Sequence, residues 1–149
     1  MDFWQKQRLG YQLDLAATNG APATLIDGGR RLQEGLAAFY RDYRPTPSLL
    51  HGDLWGGNWA ADEIGRPVIY DPATYYGDRE ADLAMTELFG GFEPAFYSAY
   101  QAHSPLADGY ELRRDLYKLY HMLNHLNLFG GGYLSSCENL IDQLLAETG

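Results

Sequence analysis

A short glycine-containing segment, His51-Gly52-Asp53-Leu54-Trp55-Gly56-Gly57-Asn58, constrains the fold of this 149-residue chain more than any other part of it. It follows the apolar pair Leu49-Leu50. Asp71 comes thirteen residues after Asn58, at the end of the apolar run Val68-Ile69-Tyr70. Short apolar runs bounded by glycine and aspartate predict strands joined by turns. We therefore expect a loop that leaves one strand and returns, with its glycines permitting tight backbone angles.

Two further apolar segments predict a β-hairpin between this loop and Asp71. Its arms would be Trp59-Ala60-Ala61 and Pro67-Val68-Ile69-Tyr70, joined by a turn over residues 62–66. Such a hairpin carries Asp71 back beside Asn58. The predicted fold thus brings two separated polar residues to one place.

The order of Asp53, Asn58 and Asp71 is typical of a phosphotransferase active site. Kinases use an Asp to accept the proton of the attacking hydroxyl, an Asn five positions on to hold metal, and a second Asp after a strand as a further metal ligand. Oxygen ligands suit Mg²⁺, and phosphoryl transfer depends on such positioning. Each residue taken alone is equally typical of a polar turn in which the side chain only hydrogen-bonds to backbone. The ordered set favours the catalytic interpretation.

Four segments resemble a known family. They are HGDLWGGN at 51–58, DPATYYGDREADLAM at 71–85, LFGGF at 88–92 and LYHMLNHLNLFG at 119–130. Together they resemble the fructosamine kinase (ketosamine 3-kinase) family, within the protein-kinase-like, aminoglycoside phosphotransferase superfamily. The His-Gly-Asp and downstream Asn are shared across the superfamily. Trp55 and the later segments are what indicate the ketosamine branch.

The resemblance implies ATP-dependent phosphorylation of the 3-hydroxyl of a ketosamine, such as fructosamine or ribulosamine, either free or on a glycated protein lysine. It implies ATP as co-substrate and Mg²⁺ as the metal. By position, Asp53 would be the catalytic base, and Asn58 and Asp71 the metal ligands. His51 and Asp82 would support the site, His51 by bonding backbone near Asp71 and Asp82 by bracing the loop.

The sequence leaves two points open, the role of Trp55 and the identity of the phosphate acceptor. The Trp55 ring could be a wall for the sugar or its amine-bearing arm, because an aromatic face suits a cation. An ordinary anchor of the loop on the core is an equally good interpretation. The alternatives to a ketosamine kinase are a small-molecule kinase of the aminoglycoside or choline type and a non-catalytic, truncated kinase-like lobe with a binding or regulatory role.

The predicted fold class is α+β and mostly α, the C-terminal lobe of a protein-kinase-like fold over residues 1–149 as a single domain. Helices are expected at about 2–18, 28–43, 79–89, 92–103, 110–129 and 134–146, the second one starting at Asp27-Gly28-Gly29. No glycine-rich turn between strands and no strand Lys precede the loop. We therefore expect the N-terminal nucleotide-binding lobe to be absent, with contact to a missing or separately encoded lobe, or a homodimer.

Composition narrows the partners and the location. A net charge of −9 repels phosphate backbones and argues against nucleic acid. The single Cys137 cannot form an intrachain disulfide, and neither a charged leader nor a run of eighteen apolar residues is present. These features predict a cytoplasmic protein without membrane contact. His121 and His125 stand four residues apart but lack the Glu and the third ligand of a zinc site, which favours packing.

Overall fold

The computed structural model describes residues 2–148, which form mostly helices, as the sequence predicts. The α-helices are α1 (Tyr11–Thr18), α2 (Ala23–Glu34), α3 (Arg79–Leu88), α4 (Pro94–His103), α5 (Tyr110–Phe129) and α6 (Leu134–Thr148). The strands are β1 (Ser48–Leu50), β2 (Trp59–Ala61), β3 (Pro67–Ile69) and β4 (Tyr75–Gly77). None of the helices within residues 2–148 combines the length and the apolarity needed to cross a membrane.

The chain divides into two units. Unit 1 is formed by the chain up to Tyr43 together with the chain from Glu111 onward, and unit 2 by Arg44–Tyr110. In unit 1 the predicted first helix is present, but its beginning, Phe3–Gly10, is a π-helix that continues into α1. A Cβ at Gly10 would lie 2.8 Å from the Gln5 carbonyl oxygen, so glycine permits this wide winding.

The predicted bounds of the second helix are wrong. Helix α2 begins after Pro22, whose carbonyl accepts the first turn's hydrogen bonds, and ends before Gly35. Gly28 and Gly29 lie inside α2 and not at its start. A Cβ at position 28 would approach Ile141 Cγ2 to 2.9 Å, and one at position 29 would collide with Leu13. These glycines therefore allow close helix packing. The rest of the predicted helix is a 3₁₀ turn, Leu36–Tyr40.

Helix α5 carries the apolar stripe that the sequence predicts. Leu116, Leu119 and Leu123 are at most 2% exposed. Each such leucine stabilises the folded state by roughly 1.5–3 kcal/mol relative to its exposed form. The same helix buries Tyr117, whose hydroxyl lies 2.9 Å from that of Tyr40. The core of unit 1 thus satisfies its buried hydroxyls internally.

Unit 2 contains two small antiparallel sheets. The predicted hairpin is confirmed: β2 pairs with β3, and Trp59 lies opposite Ile69. The second sheet pairs β1 with β4, a strand that was not predicted because its partner lies far from it along the chain. This pairing returns the chain after Asp71 to the strand that leads into the loop. Helix α3 then starts at Asp78, whose carboxylate accepts a hydrogen bond of 3.0 Å from Glu80 N.

Candidate active site

His51 holds the backbone on both sides of Asp71. Its Nε2 lies 2.9 Å from the carbonyl oxygen of Tyr70, and its own carbonyl accepts a hydrogen bond of 2.8 Å from Ala73 N. The amide N–H of Asp53 donates to His51 Nδ1 at 3.3 Å. A neutral imidazole with its hydrogen on Nε2 satisfies both ring contacts. The contact between His51 and backbone near Asp71 is the one that the resemblance implies.

Gly52 is required twice over. Its φ is +83°, which glycine adopts at no steric cost. In addition, the Ala73 carbonyl oxygen occupies the space that a Cβ at position 52 would need. The loop can therefore approach the segment after Asp71 only with glycine at this position.

Asp82, in the first turn of α3, binds the loop through both carboxylate oxygens. Oδ2 accepts from His51 N at 2.7 Å and Oδ1 from Gly52 N at 2.8 Å. Burial raises the pKa of Asp82 above its usual value, while the two amide donors act in the opposite direction. Hydrogen bonds to a carboxylate are stronger than neutral ones. Helix α3 thus fixes the backbone immediately before Asp53.

The side chain of Asn58 orients Asp53. Its Nδ2 donates to the Asp53 carbonyl oxygen at 2.8 Å and to Asp53 Oδ2 at 3.0 Å. Asn58 is buried, and its own N–H donates to the Trp55 carbonyl oxygen at 2.9 Å. Both bonds to Asp53 are made by Nδ2, which leaves the amide oxygen Oδ1 available to another group. Within residues 2–148 no hydrogen bond reaches that oxygen.

Asp71 has a φ of +53° and is the one non-glycine residue with a positive φ in the part of the chain that the structure describes. This conformation is uncommon for a side-chain-bearing residue and persists where the surroundings hold it. The hydrogen bond of 3.0 Å from Tyr70 N to the Asn58 carbonyl oxygen ties the approach to Asp71 to Asn58. Its side chain is exposed, and no group within residues 2–148 bonds to it.

The donor set around the loop fits Mg²⁺. The Asn58 Oδ1 and the Asp71 carboxylate are hard oxygen ligands without a protein partner among the described residues. No cluster of three or more His, Cys, Asp or Glu able to hold a metal occurs within residues 2–148. Asn58 and Asp71 are thus the residues that would hold a Mg²⁺ ion here, and the ion would supply positive charge for phosphate oxygens.

Trp55 is both anchored and accessible. Its indole lies over Gly57, where an added Cβ would collide with the ring, and meets the Phe89 ring edge-on at a centroid distance of 6.1 Å. The residue nevertheless remains 38% exposed. The two interpretations of Trp55 are thus compatible. Phe89 was not predicted as a site residue, although the LFGGF segment that contains it was part of the family resemblance.

The histidine pair on α5 packs among aromatic rings. His125 Nδ1 lies 2.8 Å from the His121 carbonyl oxygen, and the His125 ring contacts those of Phe129 and Tyr133 at centroid distances of 5.4 and 5.3 Å. Burial, with smaller contributions from the charges of His125 and Arg8, lowers the pKa of His121 to about 4. His121 is therefore neutral at physiological pH.

The chain is mostly helical with small antiparallel sheets, and it carries an Asp–Asn loop and an Asp after the hairpin, which together are typical of a kinase-like fold. Within that class, the chain belongs to the fructosamine kinase family, whose family model matches residues 1–147.

Named relatives are about 50% identical in sequence to this chain. The chain is 51% identical over 148 residues to a Synechocystis protein named as a probable ketoamine kinase, a match covering 97% of this chain and 48% of the relative. It is 48% identical over 145 residues to the chloroplastic protein-ribulosamine 3-kinase of Arabidopsis thaliana, covering 97% of this chain and 44% of the relative.

A solved structure confirms the fold. The crystal structure of a Thermobifida fusca protein, provisionally named a fructosamine-3-kinase, matches with a TM-score of 0.87 and 34% identity, covering 97% of this chain and 50% of that one. The chain therefore spans about half the length of the relatives that it matches.

Proposed function

We propose that this chain supplies the catalytic base and the metal ligands for ATP- and Mg²⁺-dependent phosphorylation of ketosamines on their 3-hydroxyl. The acceptors would be fructosamines or ribulosamines, free or on glycated protein lysines. The observation that carries the proposal is the bond from the Asn58 amide to the Asp53 carboxylate, in a loop tied through Tyr70 to the segment before Asp71. Kinase chemistry needs a base and metal ligands held in that order.

Asp53 would accept the proton of the 3-hydroxyl as the hydroxyl oxygen bonds to the γ-phosphorus and the bond to ADP breaks. The Asn58 amide fixes the rotation of the Asp53 carboxylate and leaves it further acceptor capacity. Asn58 Oδ1 and Asp71 would hold Mg²⁺, which neutralises charge on the phosphates when bound. His51 and Asp82 would contribute by keeping these groups in place.

We propose further that the groups holding ATP belong to an N-terminal lobe, in a longer polypeptide or in a separate chain. The match to only about half of each relative's length supports this proposal. So does the β2–β3 hairpin, because all six residues of its strands are exposed, together with Ile64 at 74% in its turn. Exposed apolar surface of this kind is typical of an interaction site.

The half-length match also favours a second candidate, a non-catalytic lobe with a binding or regulatory role.

Calorimetry of residues 1–149 with Mg-ATP tests whether ATP binding requires a partner lobe. We expect weak binding, because phosphate positioning needs groups from both lobes. Tight, Mg²⁺-dependent binding of ATP by this chain alone would contradict the proposed division of labour.

A phosphate-transfer assay tests the activity. Residues 1–149 alone, and the same residues joined to a nucleotide-binding lobe, would be given Mg-ATP with fructosyl-lysine, an aminoglycoside or choline. Asp53→Asn should lower kcat at least about 100-fold. Asp142→Asn, the same change at an exposed position on α6, should leave it unchanged. Transfer to the aminoglycoside or choline but not to fructosyl-lysine would overturn the acceptor assignment. A folded two-lobe protein that transfers to none would favour the non-catalytic candidate.

A further inference from the structure

Helix α3 contacts the His51–Asn58 loop at two separate points. Asp82, its fourth residue, holds the amides of His51 and Gly52. Phe89, directly after its last residue, meets the Trp55 ring edge-on, with an interplanar angle of 78°. Seven residues of helix separate the two contacts by about 10 Å. One rigid element thus orients both the backbone before Asp53 and the indole after it.

Trp55 also makes contacts within the loop itself. Its N–H donates to the Asp53 carbonyl oxygen at 3.2 Å, and its carbonyl accepts from Asn58 N. Its ring covers Gly57. These contacts place the Trp55 backbone and one face of the indole, while Phe89 is the ring that it meets from outside the loop. The Phe89 ring therefore contributes to the orientation of the exposed indole surface.

The turn after α3 holds Phe89 in position. Gly90 and Gly91 have φ values of +95° and +76°, which turn the chain back sharply. A Cβ at Gly90 would meet nothing within 4 Å, so its glycine serves the backbone conformation and not close packing. The Tyr97 hydroxyl joins both sides of the turn: Phe92 N donates to it at 3.0 Å, and Thr86 Oγ1 on α3 lies 3.1 Å away.

We propose that Phe89 is a positioning residue for the acceptor: it sets the indole surface of Trp55 against which the sugar-amine arm lies beside Asp53. This inference rests on the proposed function. Phe89 itself would touch neither the hydroxyl nor the metal. Its loss should therefore weaken acceptor binding without affecting the chemical step or the nucleotide.

The kinetic test compares three variants of the two-lobe protein. Phe89→Leu should raise KM for fructosyl-lysine about five- to tenfold, with kcat and KM for ATP within about twofold, because one aromatic contact is lost. Phe89→Tyr keeps the ring and should restore the KM. Phe92→Leu is the matched control in the same turn, since its ring contacts Trp59 and Phe96. A similar rise of acceptor KM in Phe92→Leu, or an equal loss of kcat in Phe89→Leu, would overturn the proposal.

A binding measurement separates this proposal from the proposed function. Fluorine NMR of 5-fluorotryptophan-labelled protein gives one resonance for each tryptophan, of which this chain contributes three, and Trp55→Phe assigns that of Trp55. Phe89→Leu should shift the Trp55 resonance, leave that of Trp4 in place, and weaken fructosyl-lysine binding by the same factor as KM. If the wild type binds fructosyl-lysine without transferring phosphate, the activity proposal fails. The positioning proposal is then decided by comparing the dissociation constants of the wild type and Phe89→Leu for fructosyl-lysine. An unmoved Trp55 resonance, or no binding by the wild type, would overturn the positioning proposal.

Discussion

At the residue scale, two backbone positions with positive φ shape the candidate site, and they differ in what they require. Gly52, at +83°, has no room for a side chain, whereas Asp71, at +53°, carries the carboxylate that would bind metal. The conformation of Asp71 costs free energy, of the order of 1 kcal/mol. His51 bonds the backbone at Tyr70 and Ala73 and so offsets that cost. The strain is therefore local to the site.

Gly52→Ala should destabilise the protein by about 2–4 kcal/mol, since it combines an unfavourable φ with a collision against the Ala73 carbonyl. Gly56→Ala is the matched control in the same loop, because an added Cβ there meets nothing within 4 Å. Urea unfolding of both variants measures the difference. Equal midpoints for the two variants would show that the loop relaxes around an alanine at position 52.

The pKa of His121 predicts a loss of stability in acid. Burial, followed by the charges of His125 and Arg8, lowers this pKa from 6.5 to about 4. The unfolded chain binds a proton below pH 6.5, while the folded chain does so only near pH 4. The contribution is therefore complete above pH 6.5 and disappears as the pH falls to 4, a change of about 2 kcal/mol after allowance for partial exposure.

Urea unfolding between pH 7 and pH 4 checks this expectation. His121→Gln should remove that part of the pH dependence, whatever its effect on stability at pH 7. His103→Gln, at an exposed position on α4, should retain it. An unchanged slope in His121→Gln would assign the acid sensitivity to other groups.

At the scale of elements, α3 links the parts of the site in unit 2. Its start is set by Asp78 as N-cap, its first turn carries Asp82, and its end leads to Phe89. The apolar pattern and the glycines that follow predict the helix itself, and the bounds agree to within one residue. The contact between Phe89 and Trp55 was not predicted, because nothing local in either segment specifies which rings meet. Pairings between distant segments depend on how the elements pack.

Asp82→Asn tests the contribution of α3 to the loop. An amide can accept from only one of the two loop N–H groups and turns a donor toward the other, so we expect a loss of about 1–3 kcal/mol in stability. We also expect a lower kcat with little change in KM for fructosyl-lysine, because Asp82 acts on the backbone before Asp53. Asp142→Asn, on the exposed side of α6, is the control. Wild-type kcat in Asp82→Asn would show that the loop keeps its conformation without the second bond.

At the scale of the whole molecule, the chain divides into two units, and each of them contains buried side chains. Cys137 belongs to unit 1 and is fully buried on α6. Burial, with a further contribution from Glu138, raises its pKa to about 12. At neutral pH its thiol is therefore protonated and shielded, and thiol reactivity needs the thiolate.

Cys137 should react with a thiol reagent only when unit 1 opens. In native protein at pH 8, we expect labelling by Ellman's reagent at least about 100-fold slower than in urea, because both exposure and ionisation are suppressed. Ser98→Cys places a second thiol at an exposed position of α4 and should label rapidly in the same protein. Fast labelling of Cys137 in folded protein would mean that α6 detaches without global unfolding.

The second helix illustrates where local pattern and tertiary packing disagree. By local rules, Asp27-Gly28-Gly29 before a periodic apolar stripe predicts a helix start. In the structure, Gly28 and Gly29 lie inside α2, and glycine is needed there because Ile141 and Leu13 come too close for larger side chains. Glycine signals a backbone turn and a close approach equally well. Only knowledge of the neighbouring elements separates the two.

The sequence alone determined the family, the mostly helical class and the order of Asp53, Asn58 and Asp71, because these depend on residue identity and local spacing. The family resemblance further implied that His51 bonds backbone near Asp71 and that Asp82 braces the loop. The tertiary structure decided the β1–β4 pairing, the left-handed backbone of Asp71 and the Phe89–Trp55 contact. Each of these three features depends on segments that are far apart along the chain. The packing and hydrogen bonds that stabilise it form only when those segments meet.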